Sequence, residues 1–245
     1  MSHENDLLGH FECHSPQGIR DILAAGVSPT EPIRGKTPIV WLIEMYLRSP
    51  QFPECLQVML DAGAVIEDPV LKAILLDDAA EMRRLLKPID LKRKFYLECT
   101  FTSLQGVTAL HICAEYNSVR CAAALIKAGA NVNARADVDA DGFGGHTPLF
   151  HTLNQHRNFG RPMMELLVKT GAKLDVRLQG LVWGGGFEWE TVLFDVTPLS
   201  YTQCGLIKQF QRSEEDIYSN IAYLYKKVHG KKAPIRNVPN KYLLT

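Results

Sequence analysis

No stretch of this chain approaches the ~20 consecutive apolar residues that a membrane-spanning helix requires, and none of its cysteines stands in a C-x-x-C pair. The first absence leaves no candidate span; the second removes a common zinc and thiol-redox spacing. Net charge is also missing, since 27 basic and 27 acidic residues cancel over 245 positions. A polyanion or anionic-membrane binder needs a concentrated positive field, so neither nucleic acid nor a lipid surface is the expected partner. Basic residues gather only late, at Lys226, Lys227, Lys231, Lys232, Arg236 and Lys241. At a helix end such residues complement the dipole and solubilise a tail. Residues 1–6 are polar and acidic, where a secretory leader carries a basic end and an apolar run. The six scattered cysteines, with Cys113 and Cys121 inside apolar helical patterns, read as buried free thiols. A reducing cytoplasm is the expectation.

Enzyme fingerprints are missing too. There is no G-x-S-x-G elbow, no G-x-x-x-x-G-K-[ST] loop and no G-x-G-x-x-G after a strand. Glu188, Glu190 and Asp195 cluster without a partnered histidine. Neither catalysis nor a cofactor is expected.

What is present is a two-part phrase that returns. Thr108-Ala109-Leu110-His111, closing at Ala114, is followed by Leu125-Ile126 and Gly129-Ala130. Thr147-Pro148-Leu149 is followed by Leu166-Leu167 and Gly171-Ala172, and Thr37-Pro38-Ile39 by Met59-Leu60 and Gly63-Ala64. Thr-Pro starts a helix, because the hydroxyl can cap a free amide and proline at the first position forfeits a donor without a partner. The leucine pair supplies an apolar stripe, and glycine permits the left-handed turn that ends the second helix. One such unit cannot bury its own face, so several must stack.

These residues resemble the ankyrin repeat with its T-P-L-H-x-A signature; Val40, Phe150 and Ser200 stand where its histidine would be. The resemblance spans about residues 5–230. It implies an all-α repeat protein, an ankyrin-type solenoid of helix–turn–helix units with β-hairpin fingers. The expected organisation is one array over 1–230, with an N-terminal cap at 5–28 and units at 35–66, 68–88, 106–135 and 145–176. A C-terminal cap follows at 197–230, a finger is inserted at 178–196, and 231–245 form a tail. The second helix of the last unit should begin at Ser213, with Ile217, Ile221, Leu224 and Val228 on one face. The helix starts at Pro38, Pro69, Ala109, Pro148 and Pro198 lie 31, 40, 39 and 50 residues apart, against roughly 33 in a regular array. The surplus falls where fingers project.

The longest insertion holds Trp183, three consecutive glycines, Phe187 and Trp189. It reads as a two-stranded hairpin that either caps the stack or touches a partner. Asp137-Val-Asp139-Ala-Asp141-Gly142 resembles the start of a calcium loop, but Pro148 stands at the twelfth position, where a bidentate glutamate belongs. His10 and His14 with Cys13, and His146, His151 and His156, lack a completed ligand set, so no metal is expected. By resemblance, His111 bridges backbone groups of neighbouring repeats.

The resemblance implies another protein as partner, held on the concave surface made by fingers and first helices. By position these residues are Arg34, Lys36, Glu44, Met45, Gln105, Val107, Glu115, Tyr116, His146, Asn154 and Gln155, joined by finger residues Phe143, Trp183, Phe187 and Trp189. A finite array with capped ends predicts a monomer. One alternative is a small ligand, or weak hydrolase activity, under 178–196 with Glu188 and Glu190 in its pocket; another is a specific inhibitor or immunity-type binder of an enzyme.

Overall fold

The computed structural model describes residues 3–87, 90–98 and 101–234. Cys99, Arg236, Lys241 and most of the expected tail lie outside the described residues. The chain runs through α1 (His3–Glu12) and α2 (Pro16–Ala24), α3 (Pro38–Glu44) and α4 (Phe52–Asp61), then α5 (Pro69–Leu75) and α6 (Ala79–Leu85). Strands β1 (Phe95–Leu97) and β2 (Leu104–Val107) precede α7 (Ala109–Tyr116) and α8 (Val119–Lys127). A 3-10 turn at Pro148–Thr152 and α9 (Arg161–Lys169) follow. Strands β3 (Leu178–Trp183) and β4 (Thr191–Val196) then lead to α10 (Pro198–Cys204) and α11 (Glu214–His229). The protein is mostly helical, with two small antiparallel two-stranded sheets.

The closing glycines behave alike. Gly26, Gly63, Gly129 and Gly171 end α2, α4, α8 and α9 with φ of 98°, 102°, 99° and 99°. The amide after each reaches back five residues, as from Ala130 to the Leu125 carbonyl at 2.9 Å and from Ala172 to Leu167 at 2.9 Å. These are Schellman closures, which satisfy carbonyls the helix leaves open. Helix starts vary more. Thr197 and Ser200 exchange hydroxyl-to-amide bonds of 3.2 and 2.8 Å, whereas the hydroxyls of Thr37 and Thr147 make no capping bond. At those two starts the proline stands without the hydroxyl cap expected of the threonine.

Helices of one pair lean on those of the next: α1 on α3, α2 on α4, α5 on α7, α6 on α8, and α8 on α9. Leu110, Leu125 and Leu149 are buried in one continuous core. Leu166 is only partly covered and Leu167 takes the buried place, a one-residue shift in the apolar stripe of α9. α8 starts with a cap from another unit. Asp77, at the end of α5 with φ of 48°, accepts from the amides of Arg120 (3.3 Å) and Cys121 (2.8 Å), while Ser118 makes no cap bond.

Two expectations need correction. Thr147-Pro148 opens a 3-10 turn and not an α-helix. The Thr152 hydroxyl takes the Leu149 carbonyl (2.7 Å) and the Gln155 amide takes that of His151 (2.8 Å), so side chains occupy acceptors a helix would use. In α11, which does start after Ser213, Val228 is exposed. Its buried face instead carries Asn220, whose amide donates to Asn158 (2.9 Å) and whose carbonyl accepts from Arg161 (3.0 Å).

The fingers join edge to edge. Asp137 N–H donates to Gly106 carbonyl (3.1 Å), Gly144 N–H to Gly180 (2.9 Å), and Gly184 N–H to Phe101 (2.9 Å). The expected hairpin in the long insertion is β3–β4, in register from Leu178↔Val196 to Trp183↔Thr191.

Candidate functional site

The joined fingers and the ends of the first helices enclose an open groove of about 940 Å³. Its walls carry Glu12, Glu44, Glu98, Asp137, Asp139, Asp141 and Glu190, and among the described residues Lys36 is the one lysine or arginine that lines it. Lys36 bridges Glu44 (2.7 Å) and Glu98, which hold its ammonium above its ordinary pKa. Burial raises Glu44 despite that contact. The groove is therefore acidic. Asp139 turns inward locally and accepts from the amides of Asp141 (3.0 Å) and Phe143 (2.8 Å), closing the loop suspected of binding calcium. Among the described residues no group of three or more His, Cys, Asp or Glu is placed to hold a metal.

Beneath the groove lies a buried polar chain. The Nδ1 of His111 accepts from Thr108 N–H (3.1 Å), which leaves Nε2–H to donate to the His146 carbonyl in the next unit (3.2 Å). The bridging role expected for His111 is thus met. His146 Nε2 faces the Ser103 carbonyl (3.0 Å) and His151 Nε2 (3.1 Å), and His151 Nδ1 faces Glu115 (2.8 Å). The other Glu115 oxygen pairs with Arg48 Nε at 2.9 Å. Burial pushes His111 and His146 well below the usual histidine range, with the proximity of His151 second.

A second cavity, of about 620 Å³, opens between this chain and the β3–β4 hairpin. Its walls are aromatic. Trp183 stacks between Phe101 (centroids 4.9 Å, planes 12° apart) and Phe210 (4.2 Å, 26°). Trp189 stacks on Phe187 (4.7 Å, 20°) at the rim. Gly184, at φ 69°, lies so close to the Trp189 ring that a Cβ there would sit 2.0 Å from it.

The anticipated contact residues divide. Met45, Gln105, Phe143 and Phe187 line the groove with Lys36 and Glu44; Trp189 lines the cavity and is 42% exposed. Arg34 sits on an exposed tight turn, bound to Asn5 (2.6 Å), and lines neither space. Val107 and Tyr116 are corrections: both are buried, because β2 packs against α7 and the Tyr116 hydroxyl donates to the Ile43 carbonyl (2.5 Å). Glu115, His146 and Asn154 are buried within the polar network rather than presented on the surface, and Gln155 ties down carbonyls of α7. Trp183 is 4% exposed and packed between Phe101 and Phe210. Glu190 accepts from Gly186 N–H (2.8 Å) and lines the groove beside other residues of the insertion, whereas Glu188 lines neither space.

Sequence reasoning missed Tyr46, Arg48, Phe101, Phe210 and Arg212, all of which line the cavity. Two sit just after α3, one before β2 and two in the α10–α11 connection, where no periodic pattern marks them. Their only signal was aromatic and basic content within long connections.

Residues 105–137 match the family model of the ankyrin repeat. No curated protein matches the chain. No helix among the described residues is long and apolar enough to cross a membrane.

Proposed function

We propose that the chain is a non-catalytic protein-binding module: one ankyrin-type solenoid over residues 1–230, monomeric and cytoplasmic, that holds a partner along its fingers. Ankyrin repeats generally mediate protein–protein interaction, and the match at 105–137 supports reading the other helix pairs as divergent members of one array. The observation that carries the proposal is the finger wall itself. Phe187, Trp189 and Phe194 stand 47%, 42% and 71% exposed beside a groove whose lining mixes apolar side chains with seven carboxylates and Lys36. Exposed aromatics of this kind are typical interface anchors. The acidic lining selects a partner segment carrying lysine or arginine among apolar residues, and it repels nucleic acid.

The test is co-purification from native extract with the parent chain and with Phe187→Ala/Trp189→Ala. Both rings are half exposed, so the fold should survive while capture is lost. Capture should also weaken with salt, because surface charges are screened beyond ~8–10 Å at physiological ionic strength. A partner retained equally by the double variant would overturn the placement. An inhibitor of an enzyme would use the same face; that version is separated by whether the captured partner loses activity.

A further inference from the structure

The aromatic cavity is lined by a cation that makes no ion pair with any of the described residues. Arg212, in the connection between α10 and α11, lines it beside Phe101, its guanidinium 5.6 Å from that ring. Its Nε donates to the Asn154 carbonyl and its Nη1 to that of Phe210 (2.5 Å). Among the described residues no carboxylate comes within ion-pair reach of it. A guanidinium has five N–H donors, and Nη2 meets no acceptor among the described residues. Burial lowers its pKa and outweighs the opposing pull of Tyr201 and Glu115. Glu115, which also lines the cavity, directs one oxygen to Arg48 and the other to His151, and it acts on Arg212 only as a neighbouring charge.

We infer that this cavity is a binding site for a small aromatic carboxylic acid. Trp183, Trp189 and Phe101 offer flat apolar walls, and a volume of about 620 Å³ falls in the usual range for small-molecule sites. Arg212 supplies the planar fork that a carboxylate fits. The chemistry discriminates. A phosphate would call on more than one free cation, and Arg48 is already neutralised by Glu115 at 2.9 Å. A cationic ligand, the other frequent guest of aromatic walls, would meet Arg212 head on. The inference needs no partner chain; the cavity shares Phe187 and Trp189 with the proposed partner contact, but Arg212 belongs to the cavity and not to the groove.

The experiment is calorimetric titration of the full chain with indole-3-acetate, indole-3-acetamide and the peptide acid acetyl-Gly-Gly-Trp. The acid should bind with saturable heat and the amide at least about tenfold more weakly, since the two differ in the charge Arg212 would meet. In Arg212→Gln the acid should fall to the level of the amide. Trp189→Ala should weaken acid and amide by the same factor, because it removes a wall and leaves the charge. If Arg212→Gln does not fold, the acid-to-amide ratio on the parent chain decides alone. No binding of the acid, equal binding of acid and amide, or a preference retained in Arg212→Gln would overturn the inference. So would binding confined to the peptide, which would make the site one for chain termini.

Discussion

Replacing Trp183 and Trp189 one at a time separates the two roles of the long hairpin. Trp183 is 4% exposed and held between Phe101 and Phe210, at 4.9 and 4.2 Å. Removing a fully packed tryptophan costs about 3–5 kcal/mol in lost transfer energy and cavity formation, and two stacked neighbours place Trp183→Ala toward the top of that range. For a chain of this length each kcal/mol lowers the melting temperature by about 2–4 °C, so the variant should melt about 6–20 °C early. Trp189 is 42% exposed, and its removal should cost about 1 kcal/mol. Thermal and urea unfolding followed by far-UV circular dichroism measures both. Hydrogen exchange adds a location, since α10 and α11 should lose protection first in Trp183→Ala. If Trp183→Ala lies within ~0.5 kcal/mol of the parent chain, the hairpin is not a cap and the burial argument fails.

Three further outcomes follow from the same geometry. Burial, then the Arg48 charge, lowers His14 to about 4, and burial also depresses His111 and His146. These bases are neutral in the fold, so the unfolded chain takes up more protons below its pKa of ~6.5. Stability must then fall as pH drops from about 7 toward 4, with His14 alone worth on the order of 3 kcal/mol; urea midpoints that stay level from pH 7 to 5 would refute this. Asp77→Ala should cost about 1–2 kcal/mol by uncapping α8, while Asp77→Asn keeps an acceptor and tolerates the left-handed backbone, so equal losses in denaturation would count against the inter-unit cap. Glu115→Gln should destabilise by about 3 kcal/mol by leaving Arg48 buried without its charge partner. Pairing it with Arg48→Met should recover part of that loss, and additive effects in the double-mutant cycle would show the pair to be uncoupled.

Local chemistry made the helix pairs legible. Leu125 and Gly129 announce their roles because an apolar stripe and a left-handed closure depend on neighbours along the chain. His111 was readable for a related reason: its partners, Thr108 and the His146 backbone, sit at positions the repeat itself dictates. Val107 and Tyr116 were misplaced because position in a unit does not reveal how far the next finger folds over it. Arg212 left no trace, since its significance depends on Glu115 being engaged elsewhere, 97 residues away in sequence. Val228 was read from periodicity, which does not tell where the packing partner of α11 ends.

The broken turn at Pro148–Thr152 has a practical corollary for anyone re-engineering this chain. Phe150 and His151 within that turn, and Asn154, Gln155 and His156 just after it, all line the aromatic cavity. Redesigning residues 148–158 as one regular α-helix is the kind of edit that often raises thermal tolerance. It would also displace side chains that wall the cavity, so regularity gained in the backbone would be bought with the shape of this hollow.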